Sequence, residues 1–349
     1  MTRIYREEDY RPRPNRRGSR PRTKNRPEHS SAVTGLVTAV DRGRYRVVLT
    51  DSADGFPTAG AAESSDPAHV NQVTAVRASN LRKQAIVPGD IVRLVGDTSG
   101  ADGTLARLVE ITERRTLLRR SADDIDPSER VIVANVDRMG IVTATADPEP
   151  SYGLIDRALV AAYDADITPL LIVTKTDLKS AAEITERFAA TGVDIVASGL
   201  TEDGEIADPT VFERLNGHLS VLVGHSGVGK STLMNALVPA AERATGDVND
   251  VTGRGRHTSS SAVCLPLNGG GWLVDTPGVR NFGLAHVDRE TLLSAFPELV
   301  EATADCPRGC SHLADSPGCR LDDWVADGHG GPGGVSRLDS LRRLLPASG

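Results

Sequence analysis

The stretch GHSGVGKS, residues 224–231, sets three glycines, a lysine and a serine at a spacing that could hold a phosphate chain. Glycines let the backbone pass close enough for its N–H groups to bind phosphate oxygens, and the N-terminus of a following helix adds a favourable dipole. A strand-like run, SVLV, precedes the stretch and a helix-like run, KSTLMNALV, follows it, which is the context such a loop requires. Gly224, His225, Ser226, Gly227, Val228 and Gly229 would form the cradle. Lys230 would reach the β- and γ-phosphates, Ser231 would offer its hydroxyl to Mg²⁺, and Thr232 would complete the binding segment.

Other segments fit the same ligand. Asp275 ends the run GWLV, 44 residues past the loop. A carboxylate there can hold Mg²⁺ directly or through water, and the Gly278 N–H in the same DTPG turn could sense a γ-phosphate. DTPG is also an ordinary turn sequence. TKTD, residues 174–177, ends the apolar run PLLIV. The Asp177 carboxylate can accept from guanine N1–H and from its exocyclic amine, a pair of donors that adenine lacks. The stem of Lys175 would flank the nucleotide, with Thr176 between the two. A helix N-cap is the other reading of Asp177. Such a motif usually opens on Asn; Thr174 keeps a hydroxyl and loses the amide, which predicts a weaker hold on the base. At the end of VDIVAS, a backbone N–H at Ser198 could donate to guanine O6.

GRGRHTSS, 253–260, carries Thr258, the threonine best placed to close over Mg²⁺ and a γ-phosphate, unless the segment is simply a solvated loop. Val279 follows DTPG, where many nucleotide hydrolases place a water-orienting Gln. An apolar side chain cannot orient water, so slow intrinsic hydrolysis is expected, with His257 as the in-chain candidate for the catalytic group and a partner's group as the alternative. The elements run base reader, Ser198, phosphate loop, GRGRHTSS, DTPG. An ordinary GTPase starts with the loop, so the order is a circular permutation, which is tolerable because domain termini commonly lie close together.

A second constellation reads Cys306-x3-Cys310-x-His312-x6-Cys319. Three thiolates and one imidazole make a closed tetrahedral site, the structural kind of Zn²⁺ centre; reduced free thiols are the alternative. Four cysteines in 349 residues are no disulfide framework. Cys264 lies in a strand-like run and is expected to be a small core residue.

These groups need a scaffold. The chain has 349 residues, 39% hydrophobic and 25% charged, enough for two or three domains with buried cores. No apolar run approaches the roughly 20 residues that span a bilayer, and no apolar stretch follows the Arg-rich start, so a soluble cytoplasmic protein without membrane attachment is expected; a monomer is a separate expectation. Residues 1–30 hold ten Lys or Arg against four Asp or Glu in a chain of net charge −7. They read as a disordered basic tail, either an arm that touches phosphate or a solubilising one. Residues 31–112 carry five short strand-like runs, AVTGLVTAV, RYRVVLT, VNQVTAVRA, GDIVRLVG and TLARLVEI. They suit a small barrel, an OB-fold or a generic one, and Arg77, Arg82 and Lys83 between its strands are candidates for RNA contact or a solvated face. Across 113–288 apolar strand runs alternate with helical spacing, as in MGIVTAT, LIDRALVAAYDAD and PLLIVT, which predicts a largely parallel sheet. Residues 289–349 hold the Cys cluster, the stretch GHGGPGG and a helix at SRLDSLRRLL.

In sequence order, RRTLLRR, ANVDRMGIV, GLIDRALVAA, GHSGVGKSTLMNAL, GRGRHTSS and DTPGVRNFG resemble the small-ribosomal-subunit-dependent GTPase A family, of RsgA/YjeQ type, over about residues 31–325. The resemblance implies a multidomain α/β protein with an N-terminal OB-fold barrel, a circularly permuted P-loop GTPase domain and a C-terminal zinc-binding module. It implies hydrolysis of GTP to GDP and phosphate, stimulated by the 30S subunit, and a role late in that subunit's maturation through binding its rRNA. It carries phosphate and Mg²⁺ roles onto Lys230, Ser231, Thr258 and Asp275, and guanine roles onto Lys175, Asp177 and Ser198. The family more often spaces its zinc ligands x4, x, x5, so one residue has moved here from the first loop to the second.

Overall fold

Period-two alternation in the N-terminal part and continuous apolar runs in the middle require two kinds of sheet. In RYRVVLT, Tyr45 and Val47 point inward while Arg44 and Arg46 stay exposed, so one face packs and the other is wet. In the middle strands nearly every residue is buried, as expected where helices cover both faces. The structure, a computed structural model, describes residues 30–52, 56, 72–82, 84–121, 129–199, 206, 208–238, 262–267, 270–275 and 287–345. From Ala32 onward the chain forms one compact unit. Nearly all of the basic tail, Lys83, the GRGRHTSS segment with His257 and Thr258, and Gly278 lie outside the described residues.

The first five strands are β1 (Val33–Asp41), β2 (Arg44–Thr50), β3 (Gln72–Arg77), β4 (Ile91–Gly96) and β5 (Ala106–Ile111). β1 pairs with β2 and β4, β2 with β3, and β4 with β5, all antiparallel; a parallel β3–β5 pairing closes the ring. The circuit β1-β2-β3-β5-β4 is a five-stranded OB-type barrel. Val37, Tyr45, Val47, Val73, Val92, Leu94 and Leu108 fill it.

The chain then makes an antiparallel hairpin, β6 (Leu117–Ser121) with β7 (Glu129–Ala134), apart from the main sheet. The apolar run VIVANV, within the stretch 113–288, thus enters this hairpin and not the parallel sheet. The sheet proper comprises β8 (Arg138–Ala144), β9 (Thr168–Thr174), β10 (Asp194–Ala197), β11 (Leu219–Gly224), β12 (Val263–Pro266) and β13 (Trp272–Asp275). Its order is β10-β9-β8-β11-β13-β12; the first five strands are parallel and β12 is antiparallel to β13. Helices α1 (Tyr152–Asp164), α2 (Ala182–Phe188), α3 (Thr210–Leu215) and α4 (Lys230–Leu237) connect them. From β8 the chain steps outward to β9 and β10, then returns to the other side of β8 as β11. That reversal creates a switch point between β8 and β11, where ligands of such sheets bind beyond the strands' C-terminal ends.

Two contacts fasten the barrel, one to the sheet and one to the β6–β7 hairpin. β12 pairs with β1 at Ala39↔Val263, making the sheet continuous with the barrel. A Cβ on Gly89 would stand 2.0 Å from the Ala134 carbonyl oxygen, so only glycine permits this approach. Beside it, Asn135 Nδ2 donates to the Gly89 carbonyl at 2.9 Å and Arg114 grips the buried Asp90 through Nε at 2.7 Å and Nη2 at 2.9 Å.

The C-terminal part is helical: α5 (Arg289–Ser294), α6 (Pro297–Thr303), α7 (Leu321–Ala326) and α8 (Gly334–Leu344). Asp288 caps α5 by accepting from the Thr291 N–H at 2.8 Å, and Pro297 opens α6, where the missing N–H is harmless. Phe296, Leu299, Leu321, Leu338 and Leu341 pack together with Val160 of α1. The glycine-rich stretch has a steric reason: a Cβ on Gly333 would stand 2.3 Å from the carbonyl oxygen of Arg187 at the end of α2.

Candidate functional site

The registers bring five strand ends to one edge. Ala144 is level with Thr174, Val142 with Gly224, and Val173 with Ala197. Asp275 follows Val274, which pairs with Val221. TKTD, GHSGVGKS and Asp275 therefore meet at one edge of the sheet although they are widely separated along the chain.

The phosphate loop begins where β11 ends. Gly224, Gly227 and Gly229 have φ of 152°, 84° and 92°, values that side chains other than glycine rarely adopt. A Cβ on Gly224 would lie 2.2 Å from the Val142 carbonyl oxygen, so the loop starts in direct backbone contact with β8. Val228 is buried and packs with Leu233 and Leu237 of α4, which anchors the turn from below. His225, Ser226, Gly227, Ser231 and Thr232 are exposed around its mouth. Lys230 is the first residue of α4, and its ammonium folds back to donate to the carbonyls of Gly224, at 2.8 Å, and His225.

Thr174 ties the end of β9 to this loop. Its hydroxyl lies 2.6 Å from the Val228 carbonyl and 3.1 Å from that of Thr143. Thr145, in the loop after β8, donates its hydroxyl to the Lys175 carbonyl at 2.6 Å, and the Lys175 ammonium donates to the Asp147 carbonyl. Lys175 has φ of 58°, a left-handed turn that carries the chain out of the strand and leaves Asp177 exposed. Asp177 precedes no continuous helix; α2 starts only at Ala182.

Ser198 directly follows β10. Its backbone N–H donates to the Val173 carbonyl at 2.8 Å, and its hydroxyl accepts from the Asp208 N–H at 3.1 Å. The residue is buried, and its bonds to Val173 and Asp208 organise the loop. Its neighbour Gly199 lies against the base reader: a Cβ there would stand 2.9 Å from Thr176 Oγ1 and 3.1 Å from Asp177 Oδ1. Gly199 supplies the next backbone N–H along the chain. The run VDIVASGL contains it, but only the strand register distinguishes the paired N–H from the next one. Thr145 and Asp147 were also missed; the signal was TATADP, polar turn residues directly after a buried strand.

Burial raises the Asp275 carboxyl above its usual range. A cation beside it would reverse that effect. Among the expected barrel residues, Arg77 is exposed and donates to the Gln84 carbonyl at 3.3 Å, and Arg82 is exposed nearby in the following turn.

Cys306, Cys310, His312 and Cys319 bring their ligand atoms within 4.8 Å of one another. Zn–S bonds of about 2.3 Å and Zn–N bonds of about 2.0 Å put tetrahedral ligand atoms roughly 3.5–4 Å apart, and Cys319 Sγ lies 3.9 Å from His312 Nδ1. Thus the donor set fits Zn²⁺ despite the short first loop. Its surroundings hold it: the Arg320 N–H points at Cys306 Sγ at 3.3 Å, Arg289 donates to the Cys310 carbonyl and Arg342 to that of His312. Cys264 is buried away from this cluster in β12, its thiol pushed up to about 12 by burial.

Comparison with known proteins gives a consistent picture. The profile of the RsgA GTPase family matches residues 111–285. A protein named small ribosomal subunit biogenesis GTPase RsgA, from Burkholderia mallei, is 38% identical over 256 residues, 72% of this chain and 79% of that protein. Its namesake from Paraburkholderia phytofirmans is 37% identical over 257 residues, 71% and 78% of the two chains. The crystal structure of YjeQ from Thermotoga maritima superposes with a TM-score of 0.65, covering 90% of this chain and 98% of that one at 24% identity. YloQ, described as a circularly permuted GTPase, gives 0.63 at the same identity, covering 91% and 96%.

Proposed function

The chain belongs to the RsgA GTPase family, and from that membership we propose that it binds the small (30S) ribosomal subunit and hydrolyses GTP to GDP and phosphate late in that subunit's maturation. The observation that carries the nucleotide half of this reading is the bond from Thr174 to Val228, which fastens the guanine-reading strand to the phosphate loop across 54 residues of a permuted chain. The barrel with Arg77 and Arg82, joined by Lys83 and the basic tail, would meet rRNA phosphates, so affinity for the subunit should fall steeply with salt.

In this proposal Asp177 accepts from N1–H and the exocyclic amine of guanine while Gly199 donates to O6. Backbone N–H groups from Gly224 to Gly229 hold the phosphates, and Lys230 leaves its two carbonyls to reach the β- and γ-oxygens. Ser231, Thr258 and Asp275 would hold Mg²⁺, which when bound neutralises charge developing on the transferred phosphoryl group. The four C-terminal ligands would hold one structural Zn²⁺. Among the described residues no helix is long and apolar enough to cross a membrane, and the protein would act as a cytoplasmic monomer.

Val279 leaves the attacking water unoriented, so turnover by the free chain should be slow. His257 or a group on the subunit would complete the site, by analogy with partner-completed GTPases that gain about 10³–10⁵-fold. The test is GTP turnover with and without purified small subunits. Stimulation that is lost in Ser231→Ala supports the proposal, and turnover indifferent to subunits would overturn it. His257→Ala should abolish the stimulated rate and leave GTP affinity unchanged.

A further inference from the structure

Four polar side chains at the base-reading end, Thr174, Thr145, Lys175 and Ser198, already have partners. The Thr174 hydroxyl owns one proton and faces two carbonyls, Val228 at 2.6 Å and Thr143 at 3.1 Å. A Cβ on Gly229 would touch Thr174 Oγ1, Cβ and Cγ2 at 3.6–3.9 Å, so this side chain lies against the phosphate loop. The Thr145 hydroxyl serves the Lys175 carbonyl, the Lys175 ammonium serves Asp147, and the Ser198 hydroxyl lies between the Gly199 carbonyl and the Asp208 N–H.

Guanine presents two acceptors on its Hoogsteen edge, O6 and N7. The Gly199 N–H can serve O6. Reading N7 requires a second donor, and the single proton of Thr174 is committed to a carbonyl. An asparagine at this position could do both, because its amide carries two N–H donors. We infer, building on the guanine reading above, that position 174 supports the phosphate loop and does not read the base, so that the site accepts guanine nucleotides without contacting N7. Its ligand class then extends to 7-deazaguanine nucleotides, and its selectivity rests on the N1, N2 and O6 positions alone.

Equilibrium binding of GDP, 7-deaza-GDP, inosine diphosphate and ADP to the full chain tests this without any substitution. The wild type should bind 7-deaza-GDP within about twofold of GDP. Inosine diphosphate, which lacks the amine that donates to the Asp177 carboxylate, should bind about 10–150-fold more weakly. Thr174→Asn should open a gap of about 2–12-fold in favour of GDP over 7-deaza-GDP, and Thr174→Val should weaken both by the same factor. If the wild type discriminates against 7-deaza-GDP by more than about fivefold while still rejecting inosine diphosphate, the inference is wrong and the guanine reading stands. An unchanged ratio in Thr174→Asn would likewise overturn it. Equal binding of GDP, inosine diphosphate and ADP would overturn the guanine reading and this inference with it.

Discussion

The nucleotide end of the sheet and the C-terminal helical module are assembled on different principles. At the sheet edge, strand registers and glycine backbones bring the groups together, and the bonds between segments run to main-chain carbonyls: Thr174 to Val228, Thr145 to Lys175, Lys230 to Gly224. The C-terminal module attaches through side chains. Arg337 of α8, almost fully buried, donates to Asp156 of α1, to Glu298 of α6 at 2.6 Å and to the Ala295 carbonyl at 2.7 Å. Ser340 also donates to Asp156, and the Arg337 guanidinium sits 4.2 Å over the Phe296 ring. A backbone-built site tolerates many side-chain changes and fails where a Cβ collides. A junction built on one buried cation fails when that cation goes.

The largest effect should come from that junction. Arg337→Met removes the counter-charge of two buried carboxylates and should cost about 3–5 kcal/mol of stability, read from urea unfolding of the C-terminal helices, with GDP affinity retained. A loss below about 1 kcal/mol would mean that the module is held mainly by its apolar contacts. Gly224→Ala should act in the opposite sense. Its Cβ would meet the Val142 carbonyl, and strain of about 1–3 kcal/mol should displace the loop and weaken GDP by tenfold or more, leaving Arg337 and its partners intact. Unaltered GDP binding would show that the loop relaxes without harm.

The smallest effect concerns Asp275. Burial raises its folded pKa above the ordinary carboxylate value, so the fold favours the protonated form. The corresponding stability is fully present below the unfolded pKa and is lost as pH rises through the folded one. Asp275→Asn should therefore stabilise the nucleotide-free chain at pH 7 and have no such advantage below pH about 3.8, while Mg²⁺ no longer tightens GTP binding. Urea midpoints at the two pH values check the sign.

The contrast also explains what could be read from sequence. Phosphate-loop spacing, Asp275 after GWLV and the zinc ligands are local patterns, and the alternation in RYRVVLT announced a half-buried strand in the observed bounds. Gly192, a local helix-stop signal, has φ of 71° after α2 and its short 3-10 extension. The pairing of β1 with β12, the bond between Asp156 and Arg337, and the engagement of the Ser198 N–H by Val173 depend on partners far apart in the chain. No single window contains them. LLRRS gave little strand signal because β6 is defined by its partner β7, with a register shift between Leu118 and Arg119. Helices α5 to α7 are short, and their buried faces emerge only when they pack together with α8 and with Val160 of α1.

The central claim is that Asp177 and the phosphate loop share one guanine nucleotide. It is tested most directly by comparing GDP and xanthosine diphosphate binding in the wild type and in Asp177→Asn. Xanthine carries a carbonyl where guanine carries its amine, so an amide N–H at position 177 suits the former and a carboxylate the latter. The account predicts that the variant loses GDP by tenfold or more and prefers xanthosine diphosphate. A variant that binds GDP as tightly as the wild type would contradict it.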